Sequence, residues 1–259
     1  MILLLSPSKG QDFTAHEYAE HSQPAMLRDA KILVKELKTF GPQQIAQLMS
    51  VSESLAELNH GRFQRFKTPL RLGVAKQAAL AFKGDVYNGL DADSMGADEW
   101  QYAQNHLRIL SGLYGYLRPQ DLILPYRLEM KTRLANERGD NLYQFWGDKI
   151  TQKINQEVKS GDVVVNLASN EYFKAVQPKA LKGEVLTIDF KDTKAGKTRS
   201  ISFFAKQARG MMARAIINHQ IKEVDQIKSL EVDGYRYHEG LSTPKKWIFE
   251  RQQPPPKNG

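Results

Sequence analysis

Two short runs of mostly apolar residues constrain the fold of this chain more than any other feature. Residues 1–5 are the first run, and residues 163–168 form a second that is rich in β-branched side chains. Such runs are typical of strands that a parallel sheet buries on both faces. Polar residues follow each run, beginning at Ser6 and at Ser169. The pattern therefore predicts a buried sheet with candidate site residues at its strand ends.

The remaining periodicity predicts helices on both sides of such a sheet. Apolar residues recur at helical spacing, and turn residues separate the segments, so helices are predicted over residues 24–40, 42–49, 54–66, 98–110, 141–159 and 205–220. Strands are predicted over residues 184–191 and 198–204, joined by a hairpin at Gly196. The prediction is an α/β fold, a mixed sheet flanked by helices. It forms a single compact domain over residues 1–251, and the polar, proline-rich residues 252–259 are predicted to be a disordered tail.

Composition excludes several classes of protein. The chain has 259 residues and no cysteine, which excludes disulfides, thiolate metal sites and cysteine catalysis. No apolar run is long enough to cross a membrane, and the first ten residues lack the charged start of an export signal. We therefore expect a cytoplasmic protein without a membrane partner. The sequence predicts no particular oligomeric state.

The positive charge is concentrated in the last third of the chain. Residues 1–173 contain 20 basic and 20 acidic residues, whereas residues 174–259 contain 17 basic and 9 acidic ones. A local excess of this kind attracts phosphate-rich partners. A solvated lysine-rich surface would give the same count, so charge alone leaves both interpretations open.

Two familiar motifs fail on spacing. A phosphate loop ending in Gly196-Lys197-Thr198 would need glycine at position 191, which is Lys191. His16 and His21 are five residues apart, whereas two zinc ligands on one helical face are four apart. We therefore predict no nucleoside-triphosphatase site, no metal site and no cofactor.

Polar residues near the strand ends and turns are the candidates for a common cleft. Lysine and arginine could hold an anion there, aspartate and glutamate could act as acid, base or acceptor, and smaller polar groups could line the walls. The predicted anion-binding residues are Lys9, Lys83, Arg127, Lys206, Arg209 and Arg214; the catalytic candidates are Asp85, Glu129 and Glu171; the other cleft residues are Ser6, Tyr87, Asn166 and Ser169. The alternative is a set of independent caps and surface ion pairs.

The segment at residues 107–130 is too apolar for a free loop and too rich in glycine and proline for a regular helix. A helix ending near Leu110, the turn Gly112-Leu113-Tyr114-Gly115 and a second element starting at Tyr116-Leu117-Arg118-Pro119 could form a helix-hairpin-helix, which binds the DNA backbone. Residues 42–66 are a second candidate for this motif, although they lack a hairpin glycine. An ordinary helix connection or a buried irregular segment would fit the same residues.

Several long motifs resemble the YaaA peroxide-stress resistance family. They are ILLLSPSKG, LAFKGDVYNGL, HLRILSGLYGYLRPQDLILPYRLEM, LYQFWGD, VVVNLASNEYFKAV and ISFFAKQARGMMARAII, which cover the chain to about Ile217 in order. The resemblance implies a cytosolic bacterial protein with an unusual mixed α/β fold and a positive cleft. It also implies a role under hydrogen peroxide, in which the protein lowers unincorporated iron, limits DNA damage and binds duplex or branched DNA without sequence preference.

Two functions from different classes follow. The first is a DNA-binding protein without catalytic activity that acts during oxidative stress. The second is an enzyme that acts on a small anionic or nucleotide-like substrate in the same cleft, because carboxylates beside the cations would repel DNA phosphates. A pocket too narrow for a double helix would favour the enzyme, and a broad groove would favour nucleic acid.

Overall fold

The short apolar runs form the centre of one mostly parallel sheet. The computed structural model describes residues 1–254. Its strands are β1 (Ile2–Leu5), β2 (Gly10–Gln11), β3 (Lys76–Gln77), β4 (Phe82–Lys83), β5 (Leu107–Ser111), β6 (Gly115–Leu117), β7 (Leu122–Ile123), β8 (Val163–Asn166), β9 (Glu184–Lys194), β10 (Lys197–Arg199), β11 (Arg236–Tyr237) and β12 (Lys246–Gln252). The main sheet has the order β11-β12-β9-β8-β1-β5-β6, and β10 pairs with β9.

Strand β1 lies at the centre of the parallel part of the sheet. Leu3 is opposite Leu107 of β5 on one side and opposite Val165 of β8 on the other. All three side chains are fully buried, as the continuous apolar runs predict. From β1 the chain crosses to β5 on one side, and later returns to β8, β9 and β12 on the other. The order of connection therefore reverses between β1 and β8, the kind of position where open α/β sheets bind ligands.

Ten α-helices surround the sheet within the described residues. They are α1 (Leu27–Leu37), α2 (Pro42–Met49), α3 (Glu53–Gln64), α4 (Ala78–Ala81), α5 (Asp85–Leu90), α6 (Ala97–His106), α7 (Leu142–Trp146), α8 (Lys149–Asn155), α9 (Asn170–Phe173) and α10 (Ser202–Asn218). The mixed α/β fold and the single compact domain predicted from the sequence are confirmed. No helix in residues 1–254 has the length and apolar character needed to span a bilayer.

Helices α5 and α10 approach each other until their backbones touch. A β-carbon added at Gly210 would lie 1.8 Å from the Val86 carbonyl oxygen, and one added at Gly89 would lie 2.3 Å from the Gln207 carbonyl oxygen. Both distances are far below van der Waals contact, so only glycine fits at either position. This pair of glycines fixes the distance between two helices that carry site residues.

The structure corrects four element boundaries predicted from the sequence. The helix predicted over residues 98–110 ends at His106, because the next residues pair with β1 as β5. The strand predicted over residues 198–204 ends at Arg199, and α10 begins at Ser202. The helix predicted over residues 141–159 is broken at Gly147, where φ is +49°. Gln252 ends β12 rather than starting a tail; the rest of the predicted tail from residue 255 lies outside the described residues.

Candidate functional site

A cleft lies at the carboxyl ends of β1 and β8, the strand ends that the sequence indicated. Ser6 follows β1 and Ser169 follows β8, and their side chains meet across the gap. The Ser169 backbone N–H donates to Ser6 Oγ at 2.9 Å, and Ser6 Oγ donates to Ser169 Oγ at 3.2 Å. These bonds join the two strand ends, which form the floor of the cleft.

Helices α5 and α10 form the first wall of the cleft and contribute charges of both signs. Asp85 begins α5, and Lys206 and Arg209 lie one turn apart on α10; all three side chains line the cleft. Arg209 is 3.8 Å from Asp189 of β9, and its buried Nε has no hydrogen-bond partner within residues 1–254. Burial lowers the pKa of Arg209, although Asp189 acts in the opposite direction. The Arg209 side chain is 21% exposed and lines the cleft, so the accessible part of its guanidinium can bind an anion that enters.

Glu129 and Glu171 form the second wall of the cleft, and neighbouring groups hold their carboxylates in place. Glu129 is 3.1 Å from Lys9 Nζ and 3.4 Å from Lys131 Nζ. Burial alone would raise the pKa of Glu129, but Lys9, Lys131 and Arg127 outweigh it and hold that pKa below its usual value. Glu171 accepts a hydrogen bond from the Lys131 backbone N–H at 3.3 Å. Glu129 is therefore held as a carboxylate that orients cations.

A second depression adjoins the cleft and is more positive. It shares Lys9, Glu129 and Lys131 with the cleft and adds Arg127 and Arg133, so four cations face one acid. The main cleft itself is more balanced, with four cations and three acids in its lining (Lys9, Lys131, Lys206, Arg209, Asp85, Glu129 and Glu171). The cations therefore form a continuous path through both depressions.

The volumes limit what each depression can hold. The cleft has a volume of about 720 Å³ and the adjoining depression about 530 Å³. Pockets for small ligands fall between ~300 and 1,000 Å³. The cleft can therefore enclose one nucleotide or another small anion. A double helix is wider than its major groove, which alone spans about 12 Å. A duplex would therefore have to lie across the mouth of the cleft.

Three predicted cleft residues are absent from the lining of the cleft. Tyr87 is buried, and its hydroxyl donates to the Ser6 backbone carbonyl at 3.0 Å. Asn166 is buried at the end of β8, where its side-chain oxygen accepts from the Ala168 N–H at 3.0 Å. Lys83 pairs with Asp93 at 2.7 Å, so its charge is already matched. Tyr87 and Asn166 therefore shape the cleft from behind. Lys83 lines neither depression, and its binding to an anion stays a prediction.

The first helix-hairpin-helix candidate, at Gly112–Gly115, is instead a buried β-hairpin. The second candidate, residues 42–66, does consist of two successive helices, α2 and α3. Gly112, Tyr114 and Gly115 connect β5 to β6, and Tyr114 is completely buried. A β-carbon added at Gly112 would lie 2.2 Å from the Leu128 carbonyl oxygen, and one added at Gly115 would lie 2.7 Å from the Trp146 ring. The glycines therefore permit close packing, and these three residues are not accessible to DNA.

Arg118 and Arg214 are also engaged away from the cleft. Arg118 lies 3.3 Å from the buried carboxylate of Asp121, in the turn between β6 and β7. Arg214 donates to Asn218 at 2.6 Å and to Ser94 Oγ at 2.9 Å, and it lies 3.5 Å from Glu99. It joins α10 to the segment after α5. Neither arginine lines the cleft or the adjoining depression, and binding of phosphate by them stays a prediction.

Sequence reasoning missed six polar residues of the lining, which are Ser8, Lys131, Asn170, Tyr172, Ser200 and Ser202. Lys131 lies two residues after Glu129, but its convergence with Lys9 depends on the tertiary fold. Ser200 and Ser202 stand at the start of α10, a region that the sequence predicted as a strand. The N-cap residue of α10 is Ile201, which has no capping side chain, so the capping rule does not mark the start of this helix.

No group of three or more histidine, aspartate and glutamate side chains within residues 1–254 is arranged to hold a metal ion.

Comparison with known proteins gives matches over nearly the whole chain. The sequence profile of a family described as Peroxide stress protein YaaA matches residues 1–241. A UPF0246 protein from Shewanella denitrificans is 52% identical over 256 residues, covering 98% of this chain and 99% of that protein. UPF0246 proteins from Teredinibacter turnerae and Shewanella oneidensis are 49% and 50% identical, over 98% and 97% of this chain and 100% and 99% of theirs.

Proposed function

The chain belongs to the peroxide stress protein YaaA family, and on that premise we propose that it acts in peroxide stress by binding DNA. Binding takes place through phosphates, without sequence preference, on duplex or branched DNA. The family resemblance extends the proposal. The protein lowers the level of unincorporated iron, limits oxidative DNA damage and is located in the cytoplasm.

One observation carries the DNA proposal, namely the path of cations through two adjoining depressions. Lys9 and Lys131 belong to both, with Arg127 and Arg133 on one side and Lys206 on the other. Such a row can contact successive phosphates of a backbone that lies across the mouth of the cleft. Contacts of lysine and arginine with phosphates carry no sequence information. The arrangement therefore supports binding that ignores sequence.

We expect two blunt duplexes of equal length and unrelated sequence to bind with equal affinity. Phosphate contacts carry no sequence information, so dissociation constants from fluorescence anisotropy should agree within about twofold. A preference for one duplex by a factor of a hundred or more, typical of base reading, would contradict the proposal. An unlabelled polyanion without bases, such as heparin, should compete with both duplexes equally.

A second candidate is an enzyme for a small anionic or nucleotide-like substrate. The observation that favours it is the presence of Asp85, Glu129 and Glu171 in a cleft of small-ligand size. Carboxylates beside cations can accept hydrogen bonds from sugar hydroxyls or base amines, or transfer protons. Glu129 can orient cations that bind phosphates, but a surface that served DNA phosphates alone would gain nothing from Asp85 and Glu171.

The two candidates differ in what Asp85→Asn and Glu171→Gln should do. For a DNA-binding protein, loss of a repulsive charge leaves DNA affinity unchanged or somewhat higher, and survival under peroxide is maintained. For an enzyme, survival falls although DNA affinity is intact. Glu57→Gln on α3, which lines neither depression, is the matched control for loss of one negative charge.

A further inference from the structure

An exposed phenylalanine stands beside the cleft, on the first turn of α10. Phe203 is 57% exposed, although a large aromatic side chain loses favourable burial in such a position. Its helix neighbours Ser202 and Lys206 both line the cleft. Phe203 therefore lies at the edge of the proposed DNA-binding surface rather than on an unrelated side.

The ring of Phe203 is supported from behind. It packs against the Phe204 ring in an edge-on arrangement, with centroids 5.6 Å apart and an angle of 62°. The Arg251 guanidinium lies 4.8 Å from the Phe204 centroid and is itself paired with the buried Asp192 at 2.8 Å. This chain of contacts orients Phe203 before any ligand arrives, while more than half of its side chain stays open to solvent.

Basic residues lie on both sides of Phe203 in the sequence. Lys194, Lys197, Arg199 and Lys206 are all exposed, and no acidic residue occurs between Thr193 and Lys206. The first three belong to the β9–β10 hairpin, whose tight turn at Ala195-Gly196 has both φ angles positive. Ser200, next to the hairpin, lines the cleft. The hairpin cations, Phe203 and the cleft therefore form one continuous surface.

An exposed aromatic ring among cations is the arrangement that binds single-stranded nucleic acid. Cations hold the backbone, and the ring stacks on a base. In a duplex the faces of each base are covered by its neighbours, so stacking on Phe203 requires an unpaired base. We infer that Phe203 is a stacking platform for an unpaired nucleotide, and that the preferred ligand is DNA with a single-stranded portion. This inference rests on the proposed function and deepens it.

The test compares three ligands of equal length: an oligothymidine strand, the same strand with abasic sites throughout, and a blunt duplex. Phe203→Ala should lower affinity for oligothymidine at least about fivefold, the lower limit for loss of one base–aromatic stack. Affinity for the abasic strand and for the duplex should not change. Phe203→Trp should retain oligothymidine affinity, and the fluorescence of the introduced tryptophan should be quenched on binding. Leu58→Ala removes an exposed apolar side chain from α3 and should change nothing.

Three results would overturn the inference. One is an unchanged oligothymidine affinity in Phe203→Ala, and another is an equal loss for all three ligands, which would indicate a structural role. In either case wild-type binding to DNA would persist, so the proposed function would stand. If the wild-type protein binds none of the three ligands, the proposed function fails and this inference fails with it.

Discussion

Replacing Gly210 by alanine should destabilise the protein more than the same replacement at any other helical glycine named in the Results or here. The new β-carbon would lie 1.8 Å from the Val86 carbonyl oxygen and 2.8 Å from the Leu90 backbone nitrogen. Both obstacles are backbone atoms of α5, so no side-chain rotation can relieve the clash and the two helices must separate. Overpacking typically costs about 1–3 kcal/mol of stability. Alanine has a higher helix propensity than glycine, which offsets about 1 kcal/mol of this cost. We expect the net loss to lie in the upper half of the overpacking range.

The measurement is the free energy of unfolding by urea denaturation, with Gly61→Ala as the matched control. Gly61 is also inside a helix, α3, but its added β-carbon would meet only the mobile guanidinium of Arg65, at 3.2 Å. That variant should be as stable as the wild type or up to about 1 kcal/mol more stable. Equal stability of Gly210→Ala and Gly61→Ala would show that α5 and α10 are not in backbone contact.

The same variant should also weaken the site. Asp85 lies on α5, and Lys206 and Arg209 lie on α10, so separation of the helices moves the two halves of one wall. Among Gly210→Ala molecules that remain folded, DNA affinity should therefore fall.

Reversing two cleft charges should have the largest effect on binding. Lys9 and Lys206 lie on different walls and are both exposed, so Lys9→Glu with Lys206→Glu removes two phosphate contacts and adds two repulsions. A hydrogen bond to a charged group contributes about 1.5–3 kcal/mol. We therefore expect the double variant to bind a duplex at least about a hundredfold more weakly at ~50 mM salt.

A second double variant provides the control for net charge. Lys35 on α1 and Lys222 after α10 are exposed and line neither depression. Lys35→Glu with Lys222→Glu lowers the net charge of the whole protein by the same amount. Its affinity should fall severalfold at most, through the weaker long-range field. If both double variants lost affinity equally, the total charge rather than the cleft would be responsible.

The sequence was sufficient for the parts of the fold that depend on local pattern. The apolar runs before Ser6 and Ser169 predicted buried strands whose ends meet, and the structure brings these serines within 3.2 Å. Helices α1, α2 and α3 follow strong apolar periodicity and were predicted within three residues of their observed ends. Gly196 was predicted as the hairpin turn between β9 and β10 and lies there.

The errors occurred where tertiary contacts decide. Residues 107–110 are apolar throughout, so their pattern does not distinguish the end of a helix from a strand; pairing with β1 decides for β5. Arg214 and Arg209 lie on the same predicted helix, so the sequence does not distinguish their roles. Only the close approach of α5 to α10 brings Arg214 against Ser94 and away from the cleft. Gly112 and Gly115 resemble a DNA-binding turn, but their surroundings are the Leu128 backbone and the Trp146 ring.

The most direct test of the electropositive cleft is the salt dependence of duplex binding by the wild-type protein. Each phosphate that a cation neutralises contributes about −0.9 to the slope of log K against log salt concentration. Contacts from Lys9, Lys131, Lys206 and Arg209 would give a slope of about −3 to −4, a loss of roughly a hundredfold between 50 and 200 mM salt. A slope near zero, or the absence of duplex binding at low salt, would contradict the account.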